Sequence, residues 1–595
     1  MRFSHLFFCV AFLPFALFAQ PNFIASLYPT QHGLNIPADA VLRVGLQKAL
    51  DPTSLSDSSI YVWSDITGLH KLTVTLENGN KNLRIVPRHW RVANRPAFNA
   101  GERVTVTVTT RLRYADGKPF DGFVWHYTVA VKPFTGTGFK SVITFGGGAS
   151  SYFYVSDFNG DGWPDIVGND DGIYRYMIIL FNDRKGIFTL NQIVNTLDGR
   201  GEVVDQDRDG DQDIFFGLQR IVVNDGIGRF QIKPYSTWPL GQGKMYDFNN
   251  DGVMDFVIST VVHDTVFFGV SDKGKAFAKR YYARSPLRLE FYRPGLSYDL
   301  NNDGRVDLIS GGVREPVPLG FVSFQDITED SVRISQFFDT QFQPFSFCGN
   351  DFDGDGYIDY AMVGGGPGRN IEYRNNGRGI LAPHGLQRDS TNNNRLFEAI
   401  TGGDWDGDGD IDLAFANTNQ MGPFNSAPDV CIYLNDGKGN FNLTQRIPLH
   451  FNRFLSRGKF EAVDFDQDGD LDLISVADGL FFIVANGSFA TSVPSQKNDQ
   501  FPTQFFLEPT YPNPFAKETH TELILPSKER QTIEIAIFDI AGRAVRSWRI
   551  DSRQNKHAIV WNGRDQKGEL ALNGLYFFTV RIGNNRLSQK VMLLR

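Results

Sequence analysis

The chain has 595 residues, 41% of them hydrophobic and 13% aromatic, with 52 phenylalanines. That length exceeds what one hydrophobic core fills, so several domains are expected, each with ample apolar material of its own. A formal net charge of −8 excludes the strongly basic balance that nucleic-acid partners select for.

At the amino terminus Arg2 precedes an apolar run from Leu6 to Phe18, and Ala19 stands before the polar turn Gln20-Pro21. This is the layout of a secretory signal peptide over residues 1–19, and the run is too short to span a bilayer. Cys9 would leave with it, and Cys348 and Cys431 then remain as two buried thiols or one bridge. Export suits weak metal sites, because calcium is plentiful outside the cell.

From Ile24 to Lys132 the sequence alternates in short strands: Val41 to Leu46, Leu72 to Leu76, Leu83 to Val86, Arg103 to Thr110 and Val124 to Val131. Such a pattern predicts a β-sandwich of about 100 residues. The order Tyr28-Pro29, Asn35-Ile36-Pro37, Ile85-Val86-Pro87, Gly101-Glu102-Arg103-Val104, Asp116-Gly117 and Trp125-His126-Tyr127 resembles bacterial Ig-like domains of surface proteins. The resemblance covers residues 20–133 and implies a spacer or stalk without chemistry.

Residues 134–500 hold a repeat. A nine-residue pattern, with oxygen side chains at positions 1, 3, 5 and 9 and Gly at position 6, recurs seven times. The first copy offers Asp157, Asn159, Asp161 and Asp165, and the second Asp205, Asp207, Asp209 and Asp213. The third has Asp247, Asn249, Asp251 and Asp255, and the fourth Asp299, Asn301, Asp303 and Asp307. The fifth has Asp351, Asp353, Asp355 and Asp359, and the sixth Asp404, Asp406, Asp408 and Asp412. The seventh has Asp464, Asp466, Asp468 and Asp472. Their starts lie 48, 42, 52, 52, 53 and 60 residues apart, and a period of that length marks a repeat architecture.

The pattern has a chemical reason. Ca²⁺ takes hard oxygen ligands, and alternate positions of a tight loop point inward together around the bend at Gly. Three or four carboxylates so close repel strongly unless a cation lies among them. The competing reading is a hairpin turn that favours Asp, Asn and Gly; seven copies in one register favour metal. Ions in all seven loops would reverse the sign of the formal charge. Each loop runs straight into an apolar strand, such as Ile166-Val167 or Leu473-Ile474, so helix-loop-helix sites are excluded.

Most units add a second motif: Leu180-Phe181-Asn182-Asp183, Asn224-Asp225-Gly226, Asn375-Asn376-Gly377 and Leu434-Asn435-Asp436-Gly437. Asn-Asp-Gly between apolar runs is a hairpin signal, because these residues tolerate positive φ. The third, fourth and seventh units depart from it, at Ser271 to Gly274, near Asp326 and at Asn486-Gly487. Each unit thus predicts a four-stranded antiparallel sheet. The two motifs resemble the FG-GAP and VCBS repeats of integrin-like calcium propellers. An all-β fold follows, with a seven-bladed β-propeller between two Ig-like sandwiches and up to seven structural calcium ions. Either Gly138 to Phe145 or Ser488 to Val493 would close the ring.

A polar linker around Pro494 to Thr503 leads into residues 501–595. There Tyr511-Pro512-Asn513-Pro514-Phe515, Asp539-Ile540-Ala541-Gly542-Arg543, Val560-Trp561-Asn562-Gly563-Arg564-Asp565 and Lys590-Val591-Met592-Leu593-Leu594-Arg595 resemble the C-terminal sorting domain of type IX secretion cargo. The plain alternative is a terminal Ig-like sandwich. The resemblance implies delivery to the cell surface or beyond, with the type IX machinery as a partner.

For chemistry the sequence is mostly negative: it has no Gly-x-Ser-x-Gly elbow, His-Glu-x-x-His, phosphate loop or zinc-type cysteine set. His263, His384 and His450 have no spacing that ties them to a nucleophile. In the integrin-like family ligands bind the face opposite the calcium hairpins, which here would carry Gly311 to Glu315, Gly364 to Asn370 and Asn417 to Pro428. Two functions are therefore expected: adhesion or ligand binding, with a glycan or protein as partner, or a polysaccharide-degrading lyase or hydrolase on the same scaffold.

Overall fold

The computed structural model describes residues 21–594 except 487–505 and shorter internal stretches, of which the longest are 385–395, 419–427 and 450–458. The signal-peptide expectation and the strand expected over 488–493 lie outside the described residues. The fold is all-β, and the one helix among the described residues is a 3-10 turn at Pro52–Ser54. Two compact units are present, Met1–Thr491 and Ser492–Arg595.

The first unit begins with two facing sheets. One orders Ile24–Tyr28, Leu42–Leu46, Asn82–Arg88 and Lys71–Glu77; the other Gly33–Ile36, Phe123–Val129, Arg103–Val108, Ile60–Ser64 and Gly68–Leu69. Alternating residues such as Leu83, Ile85, Val104, Val106 and Trp125 fill the space between them, as period-two patterning requires.

Seven four-stranded antiparallel sheets follow. The first six each run through four consecutive strands, from Tyr152–Ser156 to Phe188–Asn195 in the first and from Leu396–Gly403 to Asn442–Pro448 in the sixth. The seventh takes Glu461–Val463, Asp472–Ala477 and Leu480–Ala485, and borrows its outer strand, Ser141–Phe145, from ahead of the first sheet. Of the two candidates for closure, the earlier segment therefore makes the pairing, with Val142 opposite Val484 and Phe145 opposite Phe481.

Second strands such as Asp359–Gly364 and Asp472–Ala477 are buried along their whole length. A strand covered on both faces reads as a continuous apolar run, and the covering is the neighbouring sheet. Phe153, Ile166 and Ile178 of the first sheet share one core with Phe465, Ile474 and Ile483 of the seventh. The sixth and seventh share another, and so do the fifth and sixth. The succession thus returns on itself. Outer strands such as Asn442–Pro448 are largely exposed.

The structure revises one reading of the connections and decides between two others. Gly311 to Arg314, expected in a loop, complete the strand Asp307–Arg314, where Gly311 pairs with Val322. Of the two alternatives for Cys348 and Cys431, the structure has two buried thiols and no bridge.

The second unit pairs a three-stranded sheet with a four-stranded one, the latter in the order Ala544–Ser552, Gln531–Asp539, Gly574–Ile582 and Asn585–Leu593. Its core holds Trp561 against Tyr576, ring centres 5.0 Å apart. The Trp561 indole donates to the Arg564 carbonyl (3.0 Å), and the Asp539 carboxylate accepts from the Arg543 amide (2.9 Å).

Candidate metal centre

Each Asp-rich loop joins the first two strands of its sheet and folds by hydrogen bonding to itself. The position-1 carboxylate accepts the amides of positions 5 and 6: Asp157 from Asp161 (2.9 Å) and Gly162 (2.7 Å), Asp299 from Asp303 (3.0 Å) and Gly304 (2.8 Å). The position-5 carboxylate accepts the amide of position 7, as Asp355 does from Tyr357 (2.9 Å). Gly at position 6 is left-handed in all seven loops, with φ between 81° and 102°, which explains that residue. Among the described residues position 4 is left-handed too and carries Gly160, Gly354 and Gly407 in three loops and Asn250, Asn302 and Gln467 in three others, a feature that the nine-residue pattern does not include.

These turns draw oxygens together. Asp351, Asp353 and Asp355 each place one carboxylate oxygen within 4.8 Å of the others, as do Asp404, Asp406 and Asp412, and Asp464, Asp466 and Asp468. Buried oxygens in these sets, Asp353 Oδ1 and Asp464 Oδ1, have no hydrogen-bond partner among the described residues. A buried acceptor without a donor is costly, and an all-oxygen donor set with spare lone pairs fits a hard divalent cation. Asp207 lies outside the described residues; the remaining sequence-predicted ligands all sit in these loops.

The electrostatics agree. Burial, followed by the neighbouring carboxylates, raises Asp464 well above the usual carboxylate range, and burial with the Asp303 charge does the same to Asp299. Burial also pushes Asp404 up to about 6 and Asp412 up to about 8. Charge in these loops is therefore held at a cost that a bound cation would offset.

Position 9 has a second duty. Its Oδ2 accepts the amide of position 2, as Asp412 does from Trp405 (2.8 Å), and its Oδ1 accepts the amide of the hairpin Asn, here Asn435 (2.8 Å). The Asn435 side chain then donates to Ile411 O (3.0 Å) and, across to the fifth loop, to Phe352 O (2.8 Å). Asn224 reaches Phe158 O (2.7 Å), Asn375 reaches Leu300 O (2.8 Å) and Asn486 reaches Trp405 O (3.0 Å) in the same way. The two motifs are thus one junction that ties each such sheet to the loop of the preceding one. In the third sheet, which lacks the Asn, the Asp255 Oδ1 has no partner among the described residues.

The amino-terminal sandwich is no detached spacer, because it packs on this loop end. His89 Nε2 lies 3.4 Å from Asp157 Oδ2, Arg111 donates to Asp251 O (3.0 Å), and Val124 N donates to Gly304 O (2.9 Å). Burial lowers His32 to about 4 and His70 to about 3, so both are neutral at physiological pH. No local signal in the sequence points to these partners. Of the repeat-region histidines, His384 is exposed, and His263 and His450 lie outside the described residues.

Residues 351–415 and 404–475 match the FG-GAP-like repeat, and residues 509–594 match the secretion system C-terminal sorting domain. The chain carries FG-GAP-like repeats and a type IX secretion sorting domain. That carboxy-terminal domain marks it for export to the cell surface or for secretion. Among the described residues no helix is long and apolar enough to cross a membrane.

No curated protein matches the chain. Among solved structures it is similar to PorZ, a surface component of the type IX secretion system of Porphyromonas gingivalis, at 13% identity and TM-score 0.34 over 96% of this chain and 75% of that one. It is also similar to the rhamnogalacturonan lyase YesW, at 12% identity and TM-score 0.27 over 95% and 91%, and to a Bacillus licheniformis rhamnogalacturonan lyase, at 13% and 0.27 over 95% and 91%. None of these likenesses bears on what the chain does.

Proposed function

We propose that this exported chain is a calcium-stabilised binding or adhesion protein of the cell surface, in which the seven sheets form the blades of a propeller. Calcium would be held by the oxygens at positions 1, 3, 5 and 9 of the loops, and its part is structural: it neutralises carboxylates that the folded loops force together. The observation that carries this reading is the set of converging oxygens in the fifth, sixth and seventh loops, with the buried Asp353 Oδ1 and Asp464 Oδ1 lacking a donor among the described residues. The sorting domain supports a surface location. The sandwich covers much of the loop end, which leaves the opposite end of the sheets as the place for a glycan or protein ligand.

The test is a binding screen against glycans and matrix proteins, run with calcium and with chelator, followed by product analysis on every hit. Calcium-dependent binding without turnover supports the proposal. Cleaved or eliminated sugar products would replace it with the polysaccharide-degrading reading.

A further inference from the structure

The sandwich lies unevenly across the loops. At the first loop Arg95 donates to Asp161 O (3.3 Å) and Asn99 to Gly162 O (3.4 Å). At the fourth, His32 Nε2 lies 3.1 Å from Asp299 O, and a Cβ on Gly304 would meet Phe123 and Pro21 at 3.0 and 3.1 Å. At the seventh, Lys132 N donates to Gly469 O (2.8 Å), Lys132 Nζ donates to Asp468 O, and Arg95 donates to Gln467 Oε1 (2.6 Å).

The fifth and sixth loops differ. Among the described residues neither receives a hydrogen bond from the sandwich, and their position-5 carboxylates, Asp355 and Asp408, are exposed. A Cβ on Gly356 would meet nothing within 4 Å and one on Gly409 only the Asn35 side-chain amide at 3.4 Å, an ordinary contact, whereas one on Gly162 or Gly469 would strike Arg95 or Lys132.

Resting on the calcium reading above, we propose that the sandwich sorts the metal loops into two kinetic classes. Calcium in the first, fourth and seventh loops is held beneath the sandwich and leaves only when it lifts; calcium in the fifth and sixth exchanges directly with solvent. The physical reason is that release from a covered loop requires a local opening that breaks the hydrogen bonds named above, and exchange through an opening is slowed by its free energy. In the first, fourth and seventh loops the sandwich takes carbonyls of positions 1, 5 and 6, in the third it also takes that of position 4, Asn250, and among the described residues it takes none of position 7, the carbonyl that turns to a calcium ion in other calcium-binding loops. It leaves those position-7 carbonyls to the ion, although it also reaches two position-1 carboxylates, through Gln31 Nε2 to Asp299 Oδ2 (3.3 Å) and His89 Nε2 beside Asp157 Oδ2 (3.4 Å).

The experiment uses the full chain loaded with calcium and mixed rapidly with an excess of a fluorescent calcium chelator. Two release phases are expected, the slow one at least about tenfold slower, a factor that about 1.4 kcal/mol of opening free energy supplies. The variant Asp355→Ala with Asp408→Ala should lose amplitude from the fast phase and keep the slow rate. A second variant, Arg95→Ala with Lys132→Ala, should speed the slow phase. One release phase from a calcium-loaded protein, or amplitude lost from the slow phase in Asp355→Ala/Asp408→Ala, overturns the sorting while the calcium reading stands. No calcium bound before mixing overturns both.

Discussion

Asn182 of the first sheet donates through Nδ2 to the main-chain carbonyl of Phe465 in the seventh loop, at 2.9 Å and across 283 positions of sequence. Both groups are buried, and the Asn182 amide is meanwhile taken by Asp165 Oδ1 (2.9 Å). One side chain thus joins the last repeat to the first by the same junction that Asn224, Asn375, Asn435 and Asn486 make between consecutive sheets.

Asn182→Ala is expected to leave two buried carbonyls, of Pro164 and Phe465, short of a donor. The loss should be about 1–3 kcal/mol for each buried group left unsatisfied. Denaturant unfolding measures it, with Asn440→Ala, whose side chain is exposed, as a control within about 0.5 kcal/mol of the parent. Equal midpoints for the two variants would show that the junction contributes nothing to closure.

The pH dependence of the metal-free protein has a definite sign. Asp404 is raised from 3.8 to about 6 and Asp412 to about 8, chiefly by burial. Each binds its proton more tightly in the folded state, so the stability it contributes is full below its unfolded value of 3.8 and is lost progressively as pH rises from there through its folded value, about 6 for Asp404 and about 8 for Asp412. In chelator the melting temperature should therefore fall across that window, and in calcium the fall should shrink. A rise with pH in chelator would contradict this electrostatic account.

Export should depend on the second unit. A chain ending at Gln500 keeps the seven sheets and lacks the sorting domain matched over residues 509–594. Cell fractionation should find it folded and retained in the periplasm, whereas the full chain reaches the surface or the medium. Normal delivery of the shortened chain would remove the sorting role.

Asp408→Ala removes the position-5 carboxylate of the sixth loop, which is exposed and stands outside the converging set of Asp404, Asp406 and Asp412. It should lower the melting temperature in calcium and reduce bound calcium by about one ion per chain. In chelator the variant and the parent should differ much less. Calorimetric titration gives the stoichiometry, and an unchanged value would take Asp408 out of the ligand set.

The loops and hairpins were legible because their determinants are local. Nine consecutive residues fix an Asp-rich turn, and Asn with Gly fixes the hairpin that follows. What joins them was not legible: Asn435 and Asp412 meet by register, and nothing in the pattern shows that Asn435 also reaches Phe352 in the preceding repeat. The docking of the sandwich was hidden for the same reason. Arg95 and Gln467 are 372 positions apart, and a lone Arg or Gln carries no periodicity. The closing strand Ser141–Phe145 was one of two candidates, because both are short apolar segments and only pairing with Leu480–Ala485 decides between them. The strands Ile24–Tyr28 and Gly33–Ile36 were missed, since Pro29, His32 and the left-handed Asn35 make that stretch read as turns.

The claim on which the rest depends is that calcium holds the loops together, and thermal unfolding of the full chain in excess calcium and then in excess chelator tests it most directly. Binding to the folded state alone should stabilise by about 2.7 kcal/mol per site at 100-fold excess over Kd, so the account predicts a melting temperature that drops markedly in chelator and recovers when calcium is restored. A melting temperature that chelator leaves unchanged would contradict it and would make the loops acidic turns.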